Sequence, residues 1–339
     1  MEWRARAPVR FCDLGGWTDT RIVPKGAVLN FTARLYTYVT LSVKEGQSGF
    51  TLESVDTEEK VHLQDVRRVE YNGVLDLLKA AVARSGIETR TSGLYSTRRQ
   101  VTLQVRSGAP PASGLGSSAA LGVAAIGALS RYHRQHMLPH EIARESQLLE
   151  TRDLKLECGV QDQFASAYGG VNFMEVEYPN ARVFPVSLEP AVRCELEDRF
   201  VLVYTGKSHF SSGMHQKVIS EADQHKSDFD TLTSAAIAGK EALLSGNLDA
   251  FAEAMNANWQ AQKNLHPDIT TTEIEALHKA VFASGAKGFK ANGAGGGGTV
   301  TILAGRNGYH LVRKAVEDLG MLVLPALIDT TGLQVWEVE

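Results

Sequence analysis

The chain has 339 residues, 43% of them hydrophobic and 22% charged, with a formal net charge of -4. That length holds about two domains of roughly 150 residues or one two-lobed unit, and the composition excludes a disordered, collagenous or disulfide-scaffold protein. No global positive field recruits nucleic acid or anionic lipid, no apolar run is long enough to span a bilayer, and Cys12, Cys158 and Cys194 form no C-x-x-C pair, so a reducing cytoplasm is expected, with no nucleic-acid or membrane partner.

The first third reads as strands. Ala33, Leu35, Val39, Leu41 and Val43 alternate with polar residues, as do Val101, Leu103 and Val105, which is the pattern of half-buried strands. Between them, Val74, Leu77, Leu78, Ala81 and Val82 have helical spacing from Tyr71 to Arg84. From Ala119 to Tyr132 a small-residue helix is apolar almost all round, so it is expected to run through a core. A helix from Pro139 to about Asp153 and another from near Gln161 follow, then strands at Val171–Val176, Arg182–Val186 and Phe200–Tyr204. Ser211 to Ala283 reads as four helices, with breaks at Gly239, around Gly246 and at Pro267. The end is mixed: a strand at Thr299–Leu303, a helix at Tyr309–Leu319, and strands at Met321–Ile328 and Leu333–Val338. The architecture expected is α+β with two lobes, residues 1–205 and 206–339.

The 31 glycines are about 9% of the chain, against a usual ~7%, and they cluster. In Pro110-Pro111-Ala112-Ser113-Gly114-Leu115-Gly116-Ser117-Ser118-Ala119 two prolines stiffen the entry, two glycines permit close backbone approach, and a helix starts at the serines. Free amides and the positive end of a helix dipole then converge on one spot, which suits a polyphosphate, with a serine hydroxyl available to a cation. An ordinary loop with a serine cap is the plainer reading, and the absence of Gly-Lys-Ser/Thr rules out a Walker loop. A second cluster, Lys290-Ala291-Asn292-Gly293-Ala294-Gly295-Gly296-Gly297-Gly298-Thr299, abuts an apolar strand with no polar spacer, unlike a linker. A third, Arg10-Phe11-Cys12-Asp13-Leu14-Gly15-Gly16-Trp17-Thr18-Asp19, crowds an arginine and two carboxylates around a glycine pair.

These three segments, in this order, resemble the three motifs of the GHMP kinase superfamily, and the form P-x-x-x-G-L-G-S-S-A-A is specific to it. The resemblance implies a two-lobed fold, a mixed-sheet N-terminal lobe carrying the phosphate loop and a helix-rich C-terminal lobe, and ATP-dependent phosphorylation of a small-molecule hydroxyl. It assigns ATP to Pro111, Ser113, Gly114, Leu115, Gly116, Ser117, Ser118 and Ala119. Glu150 through Gln161-Asp162-Gln163 to Gly170 is similar to the catalytic region of sugar kinases. There Asp162 matches the base, Arg10 the arginine beside it, and Ser118 with Glu150 the ligands of Mg2+. A carboxylate in reach of the attacking hydroxyl can take its proton, and a guanidinium keeps that carboxylate ionised.

Gly16 and Trp17 stand where galactokinases carry a Glu-His pair, which turns the reading away from galactose. The Gly15-Gly16-Trp17-Thr18-Asp19 form is similar to the branch of heptose 7-phosphate kinases and L-fucokinases, which act on the anomeric hydroxyl. The sugar or sugar phosphate is accordingly expected at Asp13, Gly16, Trp17, Thr18, Asp19, Gly295 and Gly296, with Lys207 and His209 toward a substrate phosphate. Many relatives have arginine at the position of His209. A non-catalytic sugar and nucleotide sensor is the competing class, and retention of Arg10, Ser118, Glu150 and Asp162 argues against it. The other histidines, His133, His136 and His140 among them, lack a metal-binding spacing and read as surface or partly buried helix residues. Oligomeric state is not legible.

Overall fold

The alternating run from Ala33 to Val43 is the middle of a much longer strand. In chain order the first half contains β1 (Glu2–Leu14), β2 (Gly26–Glu45), β3 (Gly49–Ser54), β4 (Lys60–Leu63), α1 (Asp76–Ser85), β5 (Arg99–Ser107), α2 (Ser117–Tyr132), α3 (Pro139–Leu148), α4 (Gln161–Tyr168), β6 (Val171–Glu177) and β7 (Asn180–Pro185). The second contains α5 (Pro190–Arg199), β8 (Phe200–Tyr204), α6 (Ser211–Glu221), α7 (Lys226–Leu244), α8 (Leu248–Asn264), α9 (Thr272–Ala283), β9 (Ala286–Ala291), β10 (Thr299–Ala304), α10 (Tyr309–Asp318), β11 (Leu322–Leu324) and β12 (Gln334–Val338). The structure, a computed structural model, describes residues 1–46, 48–87, 98–206 and 211–338.

Two sheets organise these elements. The larger runs β12-β1-β2-β5-β3-β4, with β6 added to β2 and β7 to β6; the smaller runs β11-β8-β10-β9. Pairing is antiparallel except for β3 on β5, which makes the first sheet mixed. Residues 26–33 of β2 are buried at every position because that half is covered on both faces, and only from Thr37 onward does burial alternate. Alternation therefore reveals just the second half of the strand. β12 returns to pair with β1, Glu2 opposite Val338, while β8 belongs to the second sheet. A cut after residue 205 thus does not coincide with the division into sheets.

The small-residue helix runs where its composition places it. α2 packs on β1 and β2, with eleven consecutive-face residues from Ala119 to Ser130 buried. Phe11, Phe31, Phe200 and Phe251 meet at ring-centroid distances of 5.3 to 6.3 Å, joining β1, β2, β8 and α8 in one aromatic core.

Some boundaries differ from the sequence reading. Gly239 does not break a helix but sits inside α7, where a Cβ would lie 2.8 Å from the Leu14 side chain, so its absence lets the helix approach the sheet. The break falls instead at residues 222–225, and the count of four helices over residues 211–283 stands. α5 has weak periodicity, with only Leu196 and Arg199 buried. The strand expected to reach Ile328 stops at Leu324 because Pro325 has no amide for the ladder. The helix after Pro139 changes form after Leu148: residues Leu149–Asp153 make a π-helical turn, in which Leu154 N donates to Leu149 O at 3.0 Å. Such turns often re-aim a side chain at a functional site, and this one carries Glu150.

Candidate active site

The glycine loop 114–116 leads into α2 with Gly114 and Gly116 at φ of +72 and +70°, conformations that side-chain-bearing residues resist. No side chain caps α2, so its first amides face the cavity in front of the loop. That cavity, of about 380 Å³, is walled by Gly114, Gly116, Ser117, Ser118 and Ala119 on one side and by the α4 start on the other. An uncapped helix N-terminus fits an anionic phosphate. Ser113 Oγ, buried behind the loop, has no hydrogen-bond partner among the described residues.

Across the loop stands a charged pair. Arg10 Nε donates to Asp162 Oδ1 at 2.8 Å and Nη2 to Oδ2 at 3.3 Å, while Nη1 donates to the Gly114 carbonyl. One guanidinium thus ties the first motif to both the loop and the first turn of α4. Burial works against the Arg10 cation, but Asp13 and Asp162 outweigh it and raise its pKa. Behind Arg10, fully buried Asp13 accepts from Lys290 Nζ at 3.2 Å and from Gly293 N at 3.2 Å. Lys290, also fully buried, donates further to Gln262 Oε1 at 3.1 Å and to the Ala291 carbonyl at 2.8 Å. Burial lowers the Lys290 pKa and Asp13 opposes that shift.

Asp19 reaches into the same cavity by way of α4. Its Oδ2 accepts from the amides of Val160 (2.9 Å) and Gln161 (3.0 Å), which satisfies the open amides at the start of that helix. Burial, offset by these amides, pushes its carboxyl up to about 6. Trp17 adopts φ of +76° and is 4% exposed. Its ring lies 4.7 Å from that of His215 on α6, tilted by 35°, and its Nε1 has no partner among the described residues. Burial holds the His215 pKa below its ordinary value, so the imidazole is neutral near pH 7.

Glu150 and Ser118 both line the cavity. Burial pushes the Glu150 carboxyl up to about 7, with the Gln163 amide donating to it at 2.9 Å. A buried carboxylate held this high is one that a cation would stabilise. No trio of His, Cys, Asp or Glu gathers anywhere among the described residues, so a cation here would complete its shell from phosphate and water, as Mg2+ does. The donor set fits.

Of the residues singled out from the sequence, Arg10, Asp13, Trp17, Asp19, Gly114, Gly116, Ser117, Ser118, Ala119, Glu150 and Asp162 line one cavity. Others stand behind it. Thr18 Oγ1 is spent on the Gly15 carbonyl at 2.7 Å, closing the turn that presents Trp17. Gly16 packs beside Asp13, Leu115 offers its carbonyl to Arg10 N at 3.0 Å, and Pro111 is exposed. Ser113 gives its carbonyl to Thr299 Oγ1 at 2.8 Å. Gly295 and Gly296 pack on the turn at Ile269, with Gly296 N donating to the Ile269 carbonyl at 2.7 Å, and Gly293 and Ala294 reach the cavity in their place. Lys207 and His209 lie outside the described residues. Lys290 heads the glycine cluster singled out in the sequence but was given no role there, and His215 carries no sequence signal of its own.

The chain matches known kinases. The family model of the GHMP kinases N terminal domain matches residues 76–170, and that of the GHMP kinases C terminal matches residues 240–317. The chain is 28% identical to a D-glycero-alpha-D-manno-heptose 7-phosphate kinase of Campylobacter jejuni over 99% of both chains. It is also 28% identical to a bifunctional fucokinase/GDP-fucose pyrophosphorylase of Arabidopsis thaliana, over 89% of this chain and 30% of that protein's length. Among solved structures, a D-glycero-D-manno-heptose 1-phosphate kinase from Bacteroides thetaiotaomicron superposes with a TM-score of 0.78 over 99% of each chain, at 23% identity.

Proposed function

Because this chain belongs to the GHMP kinases, and is on that ground an ATP-dependent sugar kinase, we propose that it phosphorylates the anomeric hydroxyl of a sugar, with D-glycero-D-manno-heptose 7-phosphate as the acceptor. The observation that carries the chemistry is the Arg10–Asp162 pair, 2.8 Å apart and facing the uncapped amides of the glycine loop. The full-length likeness to a heptose 7-phosphate kinase supports the choice of acceptor.

In this reading Ser117, Ser118 and the loop amides hold the triphosphate of ATP. Asp162 takes the proton of the attacking hydroxyl, and Arg10 keeps its carboxylate ionised and aimed. Asp19 and Trp17 hold the sugar, one by hydrogen bonding and the other by its apolar face. Ser118 and Glu150 would hold Mg2+, which supplies charge neutralisation for the phosphates.

A free 6-deoxyhexose such as L-fucose is the second reading, and the charge of the cavity favours it. Among the described residues lining the cavity Arg10 is the sole arginine or lysine, and it is bound to Asp162, while Asp13, Asp19, Glu150 and Glu157 are carboxylates. A coupled ADP-release assay with heptose 7-phosphate, L-fucose, galactose and glucuronate separates the two. Turnover of heptose 7-phosphate alone supports the first reading and turnover of L-fucose alone the second. Tight ATP binding with no turnover of any sugar would overturn both in favour of a sensor. Asp162→Asn is expected to lower kcat by at least ~10²-fold, and near-normal turnover in that variant removes the base from the mechanism.

A further inference from the structure

Four alternating charges run in line from the interior to the cavity. Lys290 meets Asp13 at 3.2 Å, Asp13 meets Arg10 at 3.9 Å, and Arg10 meets Asp162 at 2.8 Å. Lys290 and Asp13 are wholly buried, Arg10 is 4% exposed, and the Asp162 side chain, 27% exposed, is the most open of the four to the cavity. The three hydrogens of the Lys290 ammonium have three acceptors, Asp13 Oδ1, Gln262 Oε1 and the Ala291 carbonyl, so the charged form is the one this pocket is shaped to hold.

Arg10 lies between two carboxylates that compete for it. Asp13 is the more deeply buried and, lacking water, needs a cation more than Asp162 does. With Lys290 in place Asp13 has a closer cation and Arg10 sits 1.1 Å nearer to Asp162 than to Asp13. We propose that Lys290 is a positioning residue for phosphoryl transfer: by occupying Asp13 it leaves the Arg10 guanidinium to Asp162. The proposal rests on the reading of Asp162 as the group that takes the hydroxyl proton. Asp13 also accepts from Gly293 N, and a Cβ on Gly293 would lie 2.9 Å from the Gly114 carbonyl, so the same pair sets how closely the glycine run approaches the phosphate loop.

The competition predicts a specific pattern of rescue. Lys290→Met keeps the length of the side chain and removes the charge; Asp13, left with Arg10 as its cation, draws the guanidinium off Asp162. The variant is expected to lose ~10²-fold in kcat, the scale of a misplaced catalytic group, with the KM for ATP unchanged. Adding Asp13→Asn removes the competitor while keeping acceptors for Gly293 N, and it is expected to restore kcat at least about tenfold, where two independent lesions would compound. In an Asp162→Asn background Lys290→Met should cost little more. Folding is followed by near-UV circular dichroism, and Lys290→Gln replaces the methionine variant if that one does not fold.

A folded Lys290 variant with wild-type kcat overturns the proposal. So does a loss of kcat that Asp13→Asn leaves in place, because a purely structural pair would recover melting temperature without activity. If Asp162→Asn alone retains turnover, the reading of Asp162 fails first, and the measurements on Lys290 show that separately.

Discussion

Asp162 packs directly on Gly116: a Cβ at that glycine would sit 2.9 Å from the Asp162 carboxylate oxygen Oδ2. The second glycine of the loop is therefore required twice, by its φ of +70° and by the carboxyl pressed against it. Gly116→Ala is expected to cost more than ~1 kcal/mol of stability through the backbone conformation alone. It should also lower kcat by up to ~10²-fold by displacing Asp162. Denaturant unfolding and steady-state kinetics check the two effects separately, and a stable variant with unchanged kcat would contradict the contact.

In the proposed reading Glu150 and Ser118, which both line the cavity, would share one cation. Glu150→Gln keeps the size and the hydrogen bond from Gln163 but removes the charge, so the Mg2+ concentration for half-maximal activity is expected to rise roughly tenfold or more. The KM for sugar should not move. A Mg2+ titration at fixed ATP reads the effect, and an unchanged half-saturation would take Glu150 out of the site.

Asp19 gives a pH dependence with a definite sign. Its carboxyl goes from 3.8 when unfolded to about 6 in the native protein, so between those values the native state holds a proton that the unfolded chain has released. The contribution of this group is fully present below about pH 4 and is lost as pH rises through about 6. The unfolding free energy of the wild type minus that of Asp19→Asn should therefore fall across that window, by on the order of 3 kcal/mol at most. Chemical denaturation at pH 4 and pH 7 measures it, and a flat or rising difference refutes the assignment.

Trp17 and His215 present a buried indole N–H, without a partner among the described residues, beside a neutral imidazole. Trp17→Phe retains the stack and removes the donor. It is expected to raise the KM for sugar about tenfold, the worth of one hydrogen bond, and to leave the KM for ATP alone. His215→Leu should act in the same direction by loosening the Trp17 ring. Equal changes in both KM values would show a general disturbance of the cavity instead.

Local chemistry was legible in the chain, and remote pairing was not. Gly114, Gly116 and Ser117 announce a phosphate loop because a tight turn into a helix needs those residue types side by side. Arg10 and Asp162 could be matched through a family pattern, although 152 positions separate them. Lys290 and Asp13, 277 positions apart, left no such trace: a lysine inside an apolar strand and an acid after a cysteine each look like surface charges until the sheets bring them together. His215 was missed for the same reason, since α6 reaches Trp17 only through tertiary packing. Thr18 is a different case, since its hydroxyl bonds to the Gly15 carbonyl within its own turn. Its hydroxyl belongs to the turn that exposes its neighbours, and spacing alone does not separate the residue that shapes a turn from the one it displays.

The pairing of β12 with β1 and of Lys290 with Asp13 sets an order of assembly. During synthesis Asp13 must wait without its cation until Lys290, 277 positions on, has been added, and the β1 edge of the first sheet must wait longer still, for β12 at Gln334–Val338. Contacts of such long range make folding slow and leave unfinished chains prone to association. The charge relation between Arg10 and Asp162 is thus completed late: until Lys290 arrives, Asp13 and Asp162 have one guanidinium to share.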